Sequence, residues 1–286
     1  MTPERYKLSI VIGTFNRLDQ LKTLLEHIET RAIEDHEVIV VDGGSTDGTM
    51  EFLLDKAKEG KPNFVVVLDN NRDSEKNMKR TLQECYNMGF KLATGRYIVH
   101  LNDDCQLEEQ GTPWPQNAIE FLEAEGNEEI GMLSLQIGEP KVVNGESQID
   151  WRFSYDDILN SNLLFANHAI IERGFFESIG WWDEGFLFYA ADNDCALKVR
   201  DNQRHVVGFE GGDRIIHLAT ADETREMNEK TAKLDFARLR EKWQQKIGTL
   251  VQQEMQKEQK FRGLEQLDIG APMQTIKPEG EEDESA

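Results

Sequence analysis

Two adjacent carboxylates, Asp103 and Asp104, are the residues whose types and spacing could most readily do chemistry. They follow directly after the apolar run 96–101, and like charges this close repel one another unless a cation compensates. A divalent metal suits that role, because Mg²⁺ and Mn²⁺ favour carboxylate and phosphate oxygens. The spacing therefore favours a metal site, with a solvent-exposed acidic turn as the alternative.

Three other polar segments follow apolar runs in the N-terminal part of the chain, at residues 13–17, 42–48 and 69–73. Together such segments could build a nucleotide pocket, with an aromatic side chain to cover a base, carboxylates to read base and ribose, and a cation for phosphate. Arg17 and Arg72 are candidate cations, although either could be an ordinary surface residue. Segment 42–48 is also typical of a tight turn followed by a helix cap.

The apolar runs before these segments predict four strands, at residues 8–12, 37–41, 64–68 and 96–101. Amphipathic helices are predicted between them, the last from about residue 75 to residue 92. This alternation implies an α/β fold of parallel strands joined by helical crossovers, with helices on both faces of the sheet. Ligands collect at the carboxyl ends of such strands, where all four polar segments lie.

The second half of the chain is less regular. A strand is predicted at 131–135 and a hairpin within 141–153, and the remaining elements are helices and short strands: 114–124, 172–179, 192–200, 205–209 and 214–217. Residues 222–266 are charged, poor in glycine and proline, and carry spaced apolar residues. That pattern predicts one or two helices packed on the main domain, and these helices could also mediate homo-oligomerisation.

Composition limits the classes of protein that fit. The chain has 286 residues, of which 38% are apolar, and a formal net charge of −22, so it can build a core and its surface repels nucleic-acid phosphates. Three separated cysteines without a Cys-x-x-Cys pair indicate a reducing compartment. No stretch approaches the roughly 18 apolar residues of a membrane span, and the N-terminus lacks a signal sequence. We therefore predict a soluble cytoplasmic protein that does not bind nucleic acid.

Four motifs, in order, give the chain a family resemblance. They are Leu8-Ser-Ile-Val-Ile-Gly-Thr-Phe-Asn-Arg17, Glu37-Val-Ile-Val-Val-Asp-Gly-Gly-Ser-Thr-Asp-Gly-Thr49, the stretch from Asn87 to Asn102-Asp103-Asp104, and Gly180-Trp-Trp-Asp-Glu-Gly-Phe-Leu-Phe-Tyr-Ala-Ala-Asp-Asn-Asp194. Residues 8 to about 218 resemble a GT-A-fold glycosyltransferase of the family 2 type. The resemblance implies a Rossmann-like, doubly wound, mostly parallel sheet in a catalytic domain of residues 1–220. A C-terminal helical extension (221–267) and a disordered acidic tail (268–286) would follow.

The resemblance also implies roles for individual residues. Gly13, Phe15 and Arg17 would line the nucleotide pocket, with Phe15 against the base. Asp42 would accept a hydrogen bond from a base imide nitrogen, which favours uracil or thymine, and Asp103 would face the ribose or the sugar. The remaining roles are those of the metal ligands, Asp104 and His217, and of the catalytic base, Asp192. A lone histidine at a strand end can also be purely structural.

Two positions depart from the family pattern. Asn102 replaces the first carboxylate of the Asp-x-Asp triplet, and Ala191 replaces the glutamate expected before the catalytic base. The third triplet position, Asp104, remains as the metal ligand. Asp194 is a candidate for the orienting role of the missing glutamate, and the assignment of Asp192 is more open than that of the metal ligand.

The predicted function is an inverting, hexosyltransferase-like transfer that depends on Mn²⁺ or Mg²⁺. Asp192 would take the proton of an acceptor hydroxyl while the sugar leaves a nucleotide-sugar, preferably a UDP-sugar. The acceptor could be a glycan, a lipid-linked saccharide or a protein. Aromatic residues in 181–189 could stack on sugars or belong to the core, and the C-terminal helices could shape the acceptor site. The alternative function is a non-catalytic sugar-nucleotide-binding or scaffold protein, and Ala191 is the feature that favours it.

Overall fold

The computed structural model describes residues 3–69, 81–143, 146–153, 167–218 and 231–246. Strands and helices alternate up to β4, and their order is irregular after it. In chain order they are β1 (Tyr6–Thr14), α1 (Leu18–Arg31), β2 (His36–Asp42), α2 (Thr49–Lys58), β3 (Phe64–Leu68), α3 (Leu82–Leu92), β4 (Gly95–Asn102), β5 (Cys105–Leu107), α4 (Gln116–Glu123), β6 (Ile130–Ser134), β7 (Gln136–Val143), β8 (Glu146–Phe153), β9 (Ile170–Glu172), α5 (Arg173–Ser178), α6 (Ala191–Asp201), β10 (His205–Gly208), β11 (Ile215–His217) and α7 (Ala232–Trp243).

Within the described residues, seven strands form the main sheet in the order β10-β6-β9-β4-β1-β2-β3. Strand β9 runs antiparallel to β4 and β6, and the other neighbours are parallel. The predicted α/β fold with a mostly parallel sheet is therefore confirmed. The register pairs Gly13 with Asn102 and Thr14 with Asp42, so the polar segments after β1, β2 and β4 begin side by side.

Both faces of the sheet are covered because side chains alternate along each strand. From β1, Ile10 and Ile12 face one core, which contains Leu24 of α1, while Val11 faces a second core with Phe90 of α3. All five are at most 1% exposed. Burying one such side chain contributes about 1.5–3 kcal/mol to the stability of the fold. The packed helices on both faces therefore hold the strands, and the polar segments at their ends, in place. The doubly wound arrangement is confirmed.

A second sheet has the order β5-β11-β7-β8. It brings a histidine from late in the chain to the carboxylates that follow β4. Strands β7 and β8 form the predicted hairpin, which begins at Gln136 rather than at residue 141. Strand β11 runs antiparallel to β5 and parallel to β7. The antiparallel register places His217 opposite Cys105, the residue that follows Asp104.

Helix α3 begins later than the helix predicted from about residue 75. Thr81 is an extended N-cap residue whose hydroxyl accepts from the Glu84 backbone N–H, while the Glu84 carboxylate accepts from the Thr81 N–H. This reciprocal capping box fixes the start at Leu82. Arg72 lies outside the described residues, and so its predicted role stays a prediction.

Only part of the predicted C-terminal extension is described. Helix α7 buries Asp235, Leu239 and Trp243 against the domain, which confirms packing of this helix on the core. The acidic tail 268–286 lies outside the described residues, and the domain boundaries and the homo-oligomer remain predictions. None of the helices that the structure describes combines the length and the apolarity needed to cross a membrane.

Candidate active site

Asp103 is held from the end of β1. Thr14 Oγ1 donates to Asp103 Oδ2 at 2.9 Å, and Arg17 Nη1 donates to Asp103 Oδ1 at 2.9 Å. The same guanidinium nitrogen lies 3.5 Å from Asp104 Oδ2. Asp103 and Asp104 are 4% and 3% exposed, so they do not form the solvent-exposed acidic turn that was the alternative.

Arg17 changes the electrostatic argument made from the sequence. Burial raises the pKa of Asp103 to about 6, and the opposing charge and hydrogen bond of Arg17 limit the rise. The repulsion between the two carboxylates is thus relieved in part by a cation from the chain itself. A metal site at this edge of the sheet then depends on Asp104 and its other neighbour.

That neighbour is His217, at the end of β11. Leu218 N donates to the Asp104 carbonyl at 3.0 Å, which continues the β5–β11 pairing. His217 Nε2 consequently lies 3.3 Å from Asp104 Oδ1, and His217 Nδ1 lies 3.6 Å from Glu139 Oε1 of β7. Burial alone would lower the pKa of His217, but Asp104 and Glu139 outweigh it and raise that pKa to about 9.

Asp104 and His217 fit a divalent cation. In an octahedral shell with bonds of 2.0–2.1 Å, adjacent ligand atoms stand about 3 Å apart, close to the 3.3 Å between Oδ1 and Nε2. A histidine ligand must be neutral, so a cation would take the place of the imidazole proton. Within the described residues no group of three or more His, Cys, Asp or Glu side chains is placed to hold a metal. Mg²⁺ commonly uses only one or two protein carboxylates when substrate phosphates and water supply the rest, so a site with few protein ligands is not unusual.

A cleft of about 170 Å³ opens beside these carboxylates. Its walls include Asp19, Gln20 and Thr23 from α1, Asp103 and Asp104 themselves, and Gln106 from β5. Typical ligand pockets enclose roughly 300–1,000 Å³, so this cleft can hold only part of a nucleotide-sugar.

The loop after β2 is folded around Asp42. This carboxylate is 1% exposed and accepts from the N–H groups of Gly44 and Ser45 at 3.2 Å and from Ser45 Oγ at 2.5 Å. Gly44 adopts a φ of 89°, a conformation that side chains disfavour. The turn predicted as the plain alternative is therefore present, and the base contact of Asp42 stays a prediction.

Phe15 and Asn16 join the loops after β1 and β2. The Phe15 ring is half-buried and lies against Gly43, where an added Cβ would meet Phe15 Cδ2 at 3.5 Å. Asn16 Oδ1 accepts from Thr46 N, and Asn16 N donates to Ser45 Oγ, both at 2.8 Å. Phe15 thus sits at the shared edge of two predicted nucleotide loops.

Gly13 and Asn102 both contact Tyr86 of α3. A Cβ at Gly13 would lie 3.0 Å from the Tyr86 ring, so a glycine there leaves room for the tyrosine. Tyr86 Oη donates to the Leu101 carbonyl at 3.0 Å and lies 3.1 Å from Asn102 Oδ1. The substituted position of the triplet is therefore an anchor for α3.

Asp192 lies in the first turn of α6, where the helix dipole favours a carboxylate. Burial raises the pKa of Asp192 to about 6, against hydrogen bonds from backbone N–H groups of Asn193 and of Asp192 itself. The residue before the helix, Ala190, has a φ of 65°. Ala191 is 3% exposed and packs in the second core, while Asp194 bonds to Trp243 of α7.

The residues before α6 connect Asp192 to the strand ends through α3. Asn87 of α3 bonds to both the carbonyl and the N–H of Trp182, at 2.9 and 3.2 Å. Trp182 packs on Tyr86 with ring centroids 5.1 Å apart. Trp182 and Phe186 are core residues, 7% and 0% exposed, whereas the other aromatic residues of this segment are partly exposed: Trp181, Phe188 and Tyr189.

The sequence analysis missed four residues that shape this site. Thr14 and Ser45 hold the two carboxylates of the nucleotide loops, Tyr86 supports Asn102, and Glu139 faces His217. Thr14 and Ser45 were readable as polar residues at strand ends. Glu139 was not, because only the pairing of β7 with β11 brings it to His217.

Comparison with known proteins identifies the family of the chain. A model of the family described as glycosyl transferase family 2 matches residues 9–168. A glycosyltransferase of PGL/p-HBAD biosynthesis from Mycobacterium bovis is 36% identical over 104 residues, which cover 36% of this chain and 38% of that protein. The chain spans well under half the length of the first curated relatives that it matches.

Two solved structures show the same fold. The mannosyltransferase PcManGT from Pyrobaculum calidifontis, in complex with GDP-Man and Mn²⁺, has a TM-score of 0.54 and 18% identity, over 78% of this chain and 60% of that one. S. aureus TarS 1–349 in complex with UDP-GlcNAc has a TM-score of 0.57 and 16% identity, over 76% and 60%. Likeness at this level of identity shows the fold alone.

Proposed function

The chain belongs to glycosyl transferase family 2, and on that premise we propose that it transfers a sugar from a nucleotide-sugar to an acceptor hydroxyl with inversion. The observation that carries this proposal is the meeting of Asp103, Asp104 and His217 with Arg17 at one end of the sheet. That is the edge at which parallel sheets bind ligands.

The nucleotide would bind over the loops after β1 and β2. Phe15 would cover the base, Asp42 would receive its imide N–H, and Gly13, Arg17 and Arg72 would complete the pocket. A UDP-sugar is the preferred donor, because Asp42 favours a uracil edge. Of the two solved structures, TarS 1–349 is a complex with UDP-GlcNAc and PcManGT is a complex with GDP-Man, so a test of the donor must include both bases.

Asp103 would contact the ribose or the sugar, and Asp104 with His217 would hold a divalent cation, Mn²⁺ or Mg²⁺. When bound, that cation would supply a Lewis acid for the negative charge that develops on the leaving nucleoside diphosphate. Arg17, which contacts both carboxylates, would contact phosphate oxygens of the donor.

Asp192 would act as the general base. With a pKa of about 6, Asp192 is ionised near neutral pH. This pKa is also close to the operating pH, where a general base accepts a proton most efficiently. The oxygen of the acceptor would attack the anomeric carbon as Asp192 removes the hydroxyl proton, and the bond to the diphosphate oxygen would break. One proton passes to Asp192 and one electron pair leaves with the diphosphate.

We propose three classes of acceptor and a cytoplasmic location. A glycan, a lipid-linked saccharide or a protein could offer the hydroxyl, and the partly exposed Trp181, Phe188 and Tyr189 could contact it. The three cysteines, all in the described part of the chain, are buried and form no disulfide, which fits the reducing conditions of the cytoplasm.

A non-catalytic sugar-nucleotide-binding protein is the second candidate. Ala191 favours it, because the position of the expected glutamate is occupied by a buried core residue. This candidate predicts donor binding without turnover.

A thermal-shift panel of nucleotide-sugars with Mn²⁺ tests the proposal first, because a true donor stabilises the folded protein by mass action. The donor with the largest shift is then assayed for release of its nucleoside diphosphate. Stabilisation with release supports the transferase, and stabilisation without release supports the binding protein. If UDP- and GDP-sugars leave the melting temperature unchanged with Mn²⁺ present, both candidates fail.

A further inference from the structure

Helix α7 directs a set of polar side chains toward the segment that leads to α6. Asp235, Arg238, Lys242 and Trp243 follow one another at helical spacing, so they lie on one side of the helix. Each of them bonds to a residue between 183 and 194. The helix was predicted to pack through apolar residues, and Leu239 and Trp243 do so. The hydrogen bonds and ion pairs to this segment come in addition to that packing.

Asp235 makes the most specific of these contacts. It is 1% exposed, and its carboxylate accepts from three consecutive backbone N–H groups, those of Leu187 at 2.8 Å, Phe188 at 2.9 Å and Tyr189 at 2.8 Å. Hydrogen bonds to a charged acceptor are roughly twice as strong as those between neutral groups. One buried side chain therefore fixes the backbone of three residues that end just before Ala190.

The opposite side of this loop is held by α3. Leu82 N donates to the Leu187 carbonyl at 3.3 Å, and Gln83 Nε2 donates to the Phe188 carbonyl at 2.8 Å. The carbonyl groups of the loop thus face α3 and its N–H groups face Asp235. Without Asp235, these three N–H groups would lose the carboxylate that accepts from them.

Trp243 and Lys242 hold Asp194, on the other side of Asp192. Trp243 Nε1 donates to Asp194 Oδ1 at 2.7 Å, and Lys242 Nζ lies 2.7 Å from the same oxygen. Lys242 Nζ also donates to Asp183 Oδ2 at 2.6 Å. Helix α7 consequently holds the chain on both sides of Asp192.

The backbone between the contacts of Asp235 and those of Trp243 is strained at Ala190. Ala190 has φ 65° and ψ 1°, a left-handed conformation that L-residues with a Cβ disfavour. Such a conformation persists when its surroundings impose it. Here the contacts of Asp235 precede Ala190 directly, and those of Trp243 follow at Asp194, so both sides of the strained residue are fixed from one helix.

We propose that α7 is part of the catalytic unit and that Asp235 is a positioning residue, which sets where α6 presents Asp192 to the acceptor. The inference rests on the proposed role of Asp192 as general base. It gives the C-terminal helix a function in turnover, beyond packing on the domain.

The test compares Asp235→Asn with a matched variant, Glu37→Gln, in the full chain. Glu37 is also buried, at 3% exposure, and its carboxylate accepts from the N–H groups of Thr94 and Gly95. It lies on β2 near the amino ends of the strands, at the edge of the sheet opposite the site. Both variants lose a buried carboxylate that holds backbone N–H groups, but only Asp235→Asn releases the loop before Asp192.

Three experiments are made on each variant. They measure the binding of UDP with Mn²⁺, the amide hydrogen exchange, and the steady-state kinetics (kcat and donor KM) of nucleoside diphosphate release. For Asp235→Asn we expect UDP affinity and donor KM within about twofold of wild type, and exchange of the 187–189 amides faster by about tenfold or more. The kcat should fall by about tenfold or more, because a small displacement of the base is enough for that loss. Glu37→Gln should lose stability and keep its kcat.

A kcat of Asp235→Asn equal to wild type, measured where both proteins are folded, overturns the inference. If Asp235→Asn does not fold, Trp243→Phe takes its place, since it removes only the bond to Asp194 and keeps an aromatic ring. The same fall in kcat supports the inference and an unchanged kcat overturns it. Failure of the proposed function is separate, because it requires that wild type release no nucleoside diphosphate from the donors of the panel.

Discussion

His217 Nε2 lies 3.3 Å from Asp104 Oδ1, although β5 and β11 are separated by much of the second half of the chain. The antiparallel pairing of these short strands makes the contact, and it joins the second sheet to the carboxyl end of β4. The predicted metal ligands are therefore brought together by a part of the fold that the first four strands do not determine.

Removal of either member of this pair should remove the cation. For Asp104→Ala and for His217→Ala we expect Mn²⁺ affinity, followed by electron paramagnetic resonance, to fall by about a hundredfold or more, because each variant deletes one of two protein ligands. UDP affinity by calorimetry should become insensitive to EDTA. Glu108→Gln is the control, since Glu108 follows β5 directly but pairs with Arg214. Wild-type Mn²⁺ affinity in Asp104→Ala would rule out the site.

Glu139 should tune that site without contacting the cation. Its Oε1 lies 3.6 Å from His217 Nδ1, the nitrogen that points away from Asp104. A carboxylate at this position orients an imidazole ligand, and losing such a partner lowers metal affinity by about 10–100-fold. We expect Glu139→Ala to weaken Mn²⁺ binding within that range and Glu139→Gln to weaken it less. Equal Mn²⁺ affinities for wild type and Glu139→Ala would show that Glu139 has no such role.

The pH dependence of turnover should report Asp192. A base must be ionised to accept a proton, and burial raises the pKa of Asp192 to about 6. At saturating donor and Mn²⁺, where the bound ligands hold the charge states of Asp103 and His217, kcat should therefore be constant above that pH and fall about tenfold for each unit below it. Asp192→Asn should lower kcat by about a hundredfold or more, with UDP affinity kept. A fully active Asp192→Asn variant would remove this residue from the mechanism.

Much of the first half of the fold was predictable because local sequence determines it. Four apolar runs became β1, β2, β3 and β4, and the polar residues that follow β1, β2 and β4 meet at one edge of the sheet. The start of α3 was misplaced even though Thr81 and Glu84 carry the spacing of a capping box, a signal that a closer reading of the sequence could have used.

The contacts that complete the site depend on tertiary pairing, and the sequence alone did not contain them. Arg17 was expected to face a nucleotide, but its partners Asp103 and Asp104 become visible only once β1 and β4 are paired. Asp235 is one of many charged residues in a helical stretch, where carboxylates usually face solvent. Its three backbone contacts arise because α7 packs on the loop before α6.

A substitution at Gly13 tests whether the contact between the end of β1 and Tyr86 of α3 stabilises the strand ends. An added Cβ would lie 3.0 Å from the Tyr86 ring, closer than ordinary contacts, and Tyr86 bonds to Leu101 and Asn102. We expect Gly13→Ala to lower the free energy of unfolding by about 1–3 kcal/mol and to weaken UDP binding, because the displaced ring disturbs the strand ends. Thermal unfolding and calorimetry measure the two effects.

Gly111→Ala is the matched control for that substitution, because a Cβ there meets no atom within 4 Å and Gly111 lies in a loop. Its stability should stay within about 0.5 kcal/mol of wild type, as for ordinary surface changes. Combining Gly13→Ala with Tyr86→Leu should be less damaging than the sum of the two single changes, since the smaller side chain makes room for the Cβ. Additive losses would mean that Gly13 does not act through Tyr86, and the support of Asn102 by α3 would then need another route.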